Sequence, residues 1–153
     1  MAVERSAELR VEDESPTSLF KKFEVRPPLL EQGKMTTTLA ATDLITAQVS
    51  VGKPGGETIF HYHPGEDQIF LVLQGQATFY TDEDREVATI GRYQGILVPR
   101  MGRYWFESAS DETLVYVRIG AMGQNEPGGL ERLGPPLREK IDAKILEGHF
   151  FGD

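Results

Sequence analysis

The sequence contains no cysteine, one tryptophan and three histidines, and its 16 basic residues are outnumbered by 24 acidic ones. Without cysteine, disulfide bonds, thiolate metal sites and thiol catalysis are excluded, so any transition metal must be held by nitrogen and oxygen ligands. The formal net charge of −8 opposes binding to phosphate backbones or anionic membrane surfaces, because both require a basic face. Nucleic acids and membranes are therefore not expected as partners.

Long apolar runs are also missing. The segment from Met1 to Glu14 is charged and lacks the apolar region of a secretory signal, and no later stretch reaches the length of a membrane span. We therefore expect a soluble, cytoplasmic protein. Its 153 residues suit one domain, which we place at residues 19–153, preceded by a flexible acidic arm at residues 1–18 that has few large apolar side chains.

Residues 43–120 carry the pattern of a β-sheet core. Short runs rich in β-branched and aromatic residues alternate with turn residues, which predicts strands in close succession and antiparallel pairing in a sandwich or barrel. The predicted strands are Asp43 to Val51, Thr58 to His63, Gln68 to Gln74, Gln76 to Thr81, Glu86 to Ile90, Gly95 to Val98, Arg103 to Glu107 and Glu112 to Ile119. The run from Gln68 to Leu73 is apolar on nearly both faces, so we expect a buried interface in a homodimer.

The segment after residue 121 predicts a loop and then a helix. Glycines and prolines lead to Pro136, and Leu137, Ile141 and Ile145 recur at a spacing of four before Gly148. A proline in the first turn and a glycine after the last turn are typical helix boundaries. We therefore predict a short amphipathic helix from Leu137 to Leu146.

The tripeptide His61-Tyr62-His63 places two of the three histidines one residue apart. Alternate side chains of a β-strand point to the same face, so both imidazoles can converge on one metal ion. The pattern is typical of half a metal site. A pair of hydrogen-bonded histidines in a barrel without metal is the alternative, and His149 is expected only to pack in a docked tail.

This stretch resembles the first conserved motif of the cupin superfamily, which has a glycine, two histidines, a glutamate and a closing glycine at fixed spacings. Gly55, His61, His63 and Gly75 occupy the required positions, and Gln68 replaces the glutamate. A glutamine offers only a neutral carbonyl oxygen, so it is a weaker metal ligand than glutamate.

The second cupin motif matches less well, between residues 91 and 109. One alignment places Met101 at a glycine of the motif and Tyr104 at its histidine, whereas another places Trp105 at the histidine. We favour Tyr104, because it shares a strand face with Phe106 and because a phenol can coordinate a metal.

The resemblance implies an all-β protein with a single cupin double-stranded β-helix, or jelly-roll barrel, between the N-terminal arm and the short C-terminal helix. It also implies one divalent transition metal (Zn, Fe, Mn, Ni or Cu) held by His61, His63, Gln68 and Tyr104. Gln68 could instead orient a histidine or a water molecule, and Tyr104 could be a core aromatic residue or an acid–base group.

Two further sets of residues are candidates for substrate binding. Ile59, Phe70, Val72 and Phe106 share the strand parity of the predicted ligands, so they would line an apolar pocket or simply fill the core. Arg100 and Arg103 precede the Tyr104 strand, where a guanidinium could clamp a substrate carboxylate or remain solvated.

The expected function is that of a metal-dependent cupin enzyme acting on a small oxygenated or carboxylated organic molecule. Dioxygenation is the first hypothesis, with the metal as Lewis acid. Isomerisation, cyclisation or elimination with Tyr104 as catalytic acid or base is an alternative. A non-catalytic cupin that binds a small molecule is another, since both departures from the motifs fall at metal positions.

Overall fold

The computed structural model describes residues 16–55, 59–123 and 126–153. Most of their regular structure is β-strand, and none of their helices is long and apolar enough to cross a membrane. The strands are β1 (Pro28–Gln32), β2 (Lys34–Ala41), β3 (Ile45–Gly52), β4 (His61–Tyr62), β5 (Glu66–Gln74), β6 (Ala77–Tyr80), β7 (Glu86–Ile90), β8 (Gly95–Val98), β9 (Trp105–Ser108), β10 (Leu114–Met122), β11 (Glu131–Arg132) and β12 (Lys144–Phe150). Short 3-10 helices span Pro16–Leu19 and Asp82–Asp84.

Two antiparallel layers form the barrel. The larger sheet has the order β2-β3-β10-β5-β8, and the smaller one has the order β7-β6-β9. The β4–β11 pair extends the smaller layer, because His61 and Tyr104 form a bridge with backbone hydrogen bonds of 3.1 and 2.9 Å. The predicted all-β jelly-roll fold is confirmed.

The core between the two layers follows from the alternation of side chains along each strand. In β5, Phe70 and Val72 point inward and are almost fully buried, whereas Ile69 and Leu71 point outward and are exposed. Phe70 packs against Phe79 of the smaller sheet at a ring-centroid distance of 5.2 Å. Aromatic rings fill much of the interior, and a cavity lined largely by polar side chains lies at the β4 end.

A second apolar cluster lies on the outer side of the larger sheet. Leu30, Val49, Val51 and Val115 are each at most 1% exposed. Leu30 belongs to β1, which pairs with β12, so this two-stranded unit covers part of the sheet. The lead-in segment before β2 is thus part of the domain core.

The predicted C-terminal helix is wrong. Lys144–Phe150 forms strand β12, and residues 137–143 have no regular structure. Backbone pairing with β1, in which Ile145 lies opposite Leu30, outweighs the helical spacing of the apolar residues. His149 is an exposed residue of this strand.

The other strand predictions agree with the structure to varying degrees. The bounds of β7 and β8 are as predicted, and β3, β5, β6, β9 and β10 differ from prediction by a few residues at either end. The predicted strand from Thr58 to His63 is reduced to the two residues of β4, and Thr58 lies outside the described residues, as does most of the predicted arm. Strands β1, β2, β11 and β12 were not predicted.

Candidate functional site

A cavity of about 170 Å³ opens between the two layers beside β4. The larger sheet contributes Lys34, Thr36, Gln48, Ser50, Phe70, Tyr116 and Arg118 to its wall, and the opposite side contributes His61, His63, Tyr104, Phe106 and Leu130. The structure therefore brings both histidines, Tyr104 and two of the predicted apolar residues into one pocket.

His61 is held in place by its own strand. The side chain is 3% exposed, and its Nδ1 donates a hydrogen bond of 2.6 Å to the backbone carbonyl of Ile59. A carbonyl can only accept, so Nδ1 carries the proton and Nε2 of the neutral ring has a free lone pair. Burial lowers the pKa of His61, and the nearby charges of Lys34 and Arg118 lower it further.

His63 lies beside His61, with ring centroids 5.1 Å apart. Burial lowers the pKa of His63 to about 4, and the charges of His61 and Arg118 act in the same direction. Glu66 Oε1 is 3.5 Å from His63 Nδ1, but the imidazole is neutral at pH 7, so this contact is not an ion pair. The pocket thus contains two neutral imidazoles.

Gln68 is buried behind the cavity wall and is engaged by two donors. The Tyr104 hydroxyl and Arg118 Nε each donate a hydrogen bond of 2.9 Å to its Oε1. A carbonyl oxygen has two lone pairs, and both are used in these bonds. Burial raises the pKa of Tyr104 above its usual range, so this phenol is protonated at neutral pH.

Arg118 lines the cavity and is a candidate site residue that the sequence analysis missed. It lies on the inner face of β10, opposite Gln48 in β3 and Phe70 in β5. Besides the bond to Gln68, Nη1 donates to Gln48 Oε1 at 3.3 Å and Nη2 donates to Glu66 Oε1. Of its five N–H groups, two therefore have no hydrogen-bond partner among the described residues.

The sequence contains a signal for this residue. Arg118 has the same strand parity as Leu114 and Tyr116, both of which are buried. A charged side chain on the apolar face of a strand indicates a buried partner or a ligand. Glu66 reaches Arg118 across Gly120, where any side chain would collide with its carboxylate.

The four predicted metal ligands do not fit a resident divalent ion in this arrangement. The two histidines present suitable neutral nitrogens, but the Gln68 oxygen is already bonded twice and Tyr104 donates its proton to it. The Arg118 guanidinium, bonded to Gln68, would repel a divalent cation there. Within the described part of the chain, no three histidine or acidic side chains are grouped as a metal site.

The preferred alignment of the second motif is supported by the backbone. Met101, at the position of a motif glycine, has φ of +68°, a left-handed conformation that glycine adopts most easily. Tyr104 then takes the histidine position and forms the bridge to His61. Trp105 instead donates its indole N–H to Asp84 on the outer side.

The remaining predicted residues divide between the pocket and other places. Phe70 and Phe106 line the cavity, whereas Val72 is core and does not line it. Arg100 forms ion pairs with Asp67 and Glu126, and Arg103 forms one with Asp82, in both cases with half-exposed side chains. Neither arginine lies in the cavity wall, and Ile59 lines a neighbouring groove.

The central part of this chain matches a known family. A family model described as "Cupin domain" matches residues 49–120, from the middle of β3 through most of β10. This segment is therefore a cupin domain. No curated protein matches this cupin.

Solved structures share the same fold. A cupin-like protein from Thermotoga maritima has 25% identity and a TM-score of 0.57, covering 67% of this chain and 78% of that one. A conserved protein with a double-stranded β-helix domain from Klebsiella pneumoniae has 16% identity and a TM-score of 0.58, covering 81% and 96%. A mutant oxalate decarboxylase from Bacillus subtilis has 16% identity and a TM-score of 0.55, covering 70% and 30%.

Proposed function

We propose that this cupin binds a small organic carboxylate in the 170 Å³ cavity, and that its own cations bind the carboxylate without a metal. The observation that supports this is the partly buried guanidinium of Arg118, a residue that lines the cavity and has two N–H groups without a partner among the described residues. A guanidinium and a carboxylate match in charge and in planar geometry.

The charge distribution of the pocket supports an anionic ligand. Arg118 and Lys34 both line the cavity, whereas Glu66, which partly neutralises Arg118, lies outside its wall. The ammonium of Lys34 is 5.4 and 5.6 Å from the ring centroids of Phe106 and Tyr116, which favours a fixed position for this second charge. The described wall of the cavity contains no acidic side chain.

The neutral side chains complete the recognition of a polar ligand. His61 and His63 can accept a hydrogen bond from a hydroxyl group of the ligand, because burial keeps both imidazoles unprotonated. The raised pKa of Tyr104 opposes a phenolate base. These properties favour the binding role over the alternative in which Tyr104 abstracts a proton.

The test is binding of short carboxylates to protein kept in a chelator. We expect acetate, oxalate, pyruvate or benzoate to bind in calorimetry, with affinity roughly 10- to 100-fold lower for Arg118→Gln, since hydrogen bonds to charged groups contribute about 1.5–3 kcal/mol. Arg118→Lys should be intermediate, because it keeps the charge and loses the fork of donors.

The control variant is Arg92→Gln, which removes an exposed arginine that contacts only its neighbour Tyr93 in the described structure. Circular dichroism establishes whether each variant is folded. Equal carboxylate affinity in wild type and folded Arg118→Gln, or binding that requires an added metal, would contradict the proposal.

A second candidate function is the metal-dependent enzyme, with dioxygenation as the first reaction to test. It is favoured by the two neutral imidazoles and by the His61 Nδ1 bond to Ile59, which leaves Nε2 available as a ligand. Elemental analysis of the wild type beside a His61→Ala, His63→Ala variant tests it. Substoichiometric metal that is the same in both proteins, and is not increased by Zn, Fe, Mn, Ni or Cu, would rule it out.

A further inference from the structure

A second, larger concavity adjoins the carboxylate cavity. This outer groove has a volume of about 830 Å³ and shares Lys34, Thr36 and Leu130 with the inner cavity. Two concavities with three residues in common lie side by side, so one molecule can occupy both. The inner cavity of about 170 Å³ has room for a head group, whereas the outer groove has the size of an ordinary ligand site.

Part of the wall of the outer groove is apolar. Ile59, Leu130, Leu137 and Ile141 line it together with Pro136. Leu130, Leu137 and Ile141 are each more than 40% exposed, which is an unusual amount of open aliphatic surface on one concave face. An apolar ligand body would remove these side chains from water.

Cations also line the groove, although the whole chain is acidic. Among the described residues, Lys34, Arg132, Arg138 and Lys140 line it with a single acidic residue, Glu139, and Arg138 is paired with Glu107 at 3.1 Å. In a chain of net charge −8, a local excess of positive charge attracts anions to this face. The groove is therefore suited to admit a molecule that is both apolar and negatively charged.

We infer that the ligand of this cupin is an amphiphilic carboxylic acid, whose carboxylate binds Arg118 and Lys34 in the inner cavity and whose hydrocarbon body lies in the outer groove. This inference rests on the proposed carboxylate binding. It assigns a role to Ile59 and to the segment from Pro136 to Ile141, which line the groove. Neither carboxylate binding in the inner cavity nor packing of the barrel core requires these residues.

The experiment measures the affinity of a series of straight-chain carboxylates from two to ten carbons, below their micelle concentrations and in a chelator. We expect affinity to increase about threefold to fourfold for each methylene group until the groove is filled, as burial of hydrocarbon predicts. The methyl ester and the primary alcohol of the longest acid should bind at least tenfold more weakly than the acid, because each lacks the negative charge.

Variants separate the two parts of the ligand. Leu137→Ser should weaken binding of the longest acid about tenfold and leave binding of acetate unchanged, whereas Arg118→Gln should weaken both. The matched control is Val87→Ser, which removes an exposed aliphatic side chain from β7, outside both concavities.

The outcomes distinguish this inference from the proposed function. If every acid binds with the same affinity and Arg118→Gln weakens all of them, the carboxylate proposal holds and the amphiphilic ligand is wrong. If the alcohol and the ester bind as tightly as the acid, the groove binds the hydrocarbon chain and the negative charge contributes nothing. That result also overturns the inference. If no carboxylate binds, both proposals fall.

Discussion

Gln68 and Arg118 are best understood together. Arg118 already forms an ion pair with one carboxylate, that of Glu66. The oxygen of Gln68 accepts a hydrogen bond from Arg118 Nε–H and is neutral, so it adds no second negative charge beside the guanidinium that faces the cavity. A glutamate at position 68 would give the arginine two carboxylates and leave the pocket without a net attraction for anions. The departure from the family motif therefore fits the chemistry of its surroundings.

This relation predicts the effect of Gln68→Glu. The new side-chain carboxylate should lower the affinity for acetate about tenfold, because it repels the negative charge of the ligand. Two unit charges about 4 Å apart repel each other by about 1 kcal/mol in water and about 4 kcal/mol near a protein surface. It should also raise the affinity for Zn²⁺, because two histidines and a glutamate supply a familiar set of three ligands. Calorimetry with acetate and with ZnCl₂ measures both effects.

Gln48→Glu is the matched control for that prediction. It places the same charge beside Arg118, at the Nη1 side, away from the glutamate position of the motif. It should weaken carboxylate binding and leave Zn²⁺ binding unchanged. A Gln68→Glu protein that binds acetate as well as the wild type does would contradict the charge argument.

The lowered pKa of His63 predicts a pH dependence of stability. In the unfolded chain the imidazole takes up a proton near pH 6.5, whereas in the folded protein it does so only near pH 4. The unfolded state therefore binds more protons between these values, and the free energy of unfolding falls as the pH is lowered through this window, by up to about 3 kcal/mol.

Urea unfolding of chelated protein between pH 7.5 and 4.5 measures this decline. His63→Asn should reduce this decline and leave the part that comes from the lowered pKa of His61, while His149→Asn, in exposed strand β12, should leave the decline as in the wild type. A decline of the same size in His63→Asn and the wild type would show that other groups cause it.

Among the elements, the β1–β12 pair contributes one fully buried side chain, Leu30, to the core. Leu30 is 1% exposed in the outer cluster with Val49, Val51 and Val115, and its register partner Ile145 is 43% exposed. Leu30→Ala should lower the free energy of unfolding by about 2–5 kcal/mol, because it leaves a cavity. Ile145→Ala should cost less than about 1 kcal/mol. If urea unfolding shows the same loss of unfolding free energy for Leu30→Ala and Ile145→Ala, the placement of Leu30 in the core is wrong.

The sequence predicts elements whose signals are local. Strands β7 and β8 carry their own alternation and turns, and the two histidines lie side by side as predicted from their spacing, although strand β4 ends at Tyr62. Strand β12 depends instead on a partner far away in the chain, so its apolar spacing was mistaken for a helix. Arg118 was missed for the same reason, since its role follows from the register of β10 against β3 and β5.

For the whole molecule, the homodimer stays a prediction, and the exposed apolar side of the larger sheet is where we propose that the second copy binds. Ile69 and Leu97 are cross-strand partners on β5 and β8, and they and Leu71 are between 38% and 62% exposed. Such a patch on an edge strand is suited to a second copy of the chain. We expect Leu97→Glu to shift the protein from dimer to monomer in size-exclusion chromatography with light scattering.

Val87→Glu is the matched control for the dimer. Val87 is 55% exposed on β7 of the other sheet, so the same change of charge should leave the dimer intact. A wild-type protein that is monomeric at all concentrations would show that the apolar patch has another purpose.

The pairing of β1 with β12 also bears on biosynthesis. Arg26 and Asp153, which form an ion pair beside this unit, are 127 positions apart in the chain. During translation, Leu30 therefore has no β12 beside it until Lys144–Phe150 has been made. The nascent barrel exposes an apolar patch for that period, in which chaperones or other nascent chains can bind it.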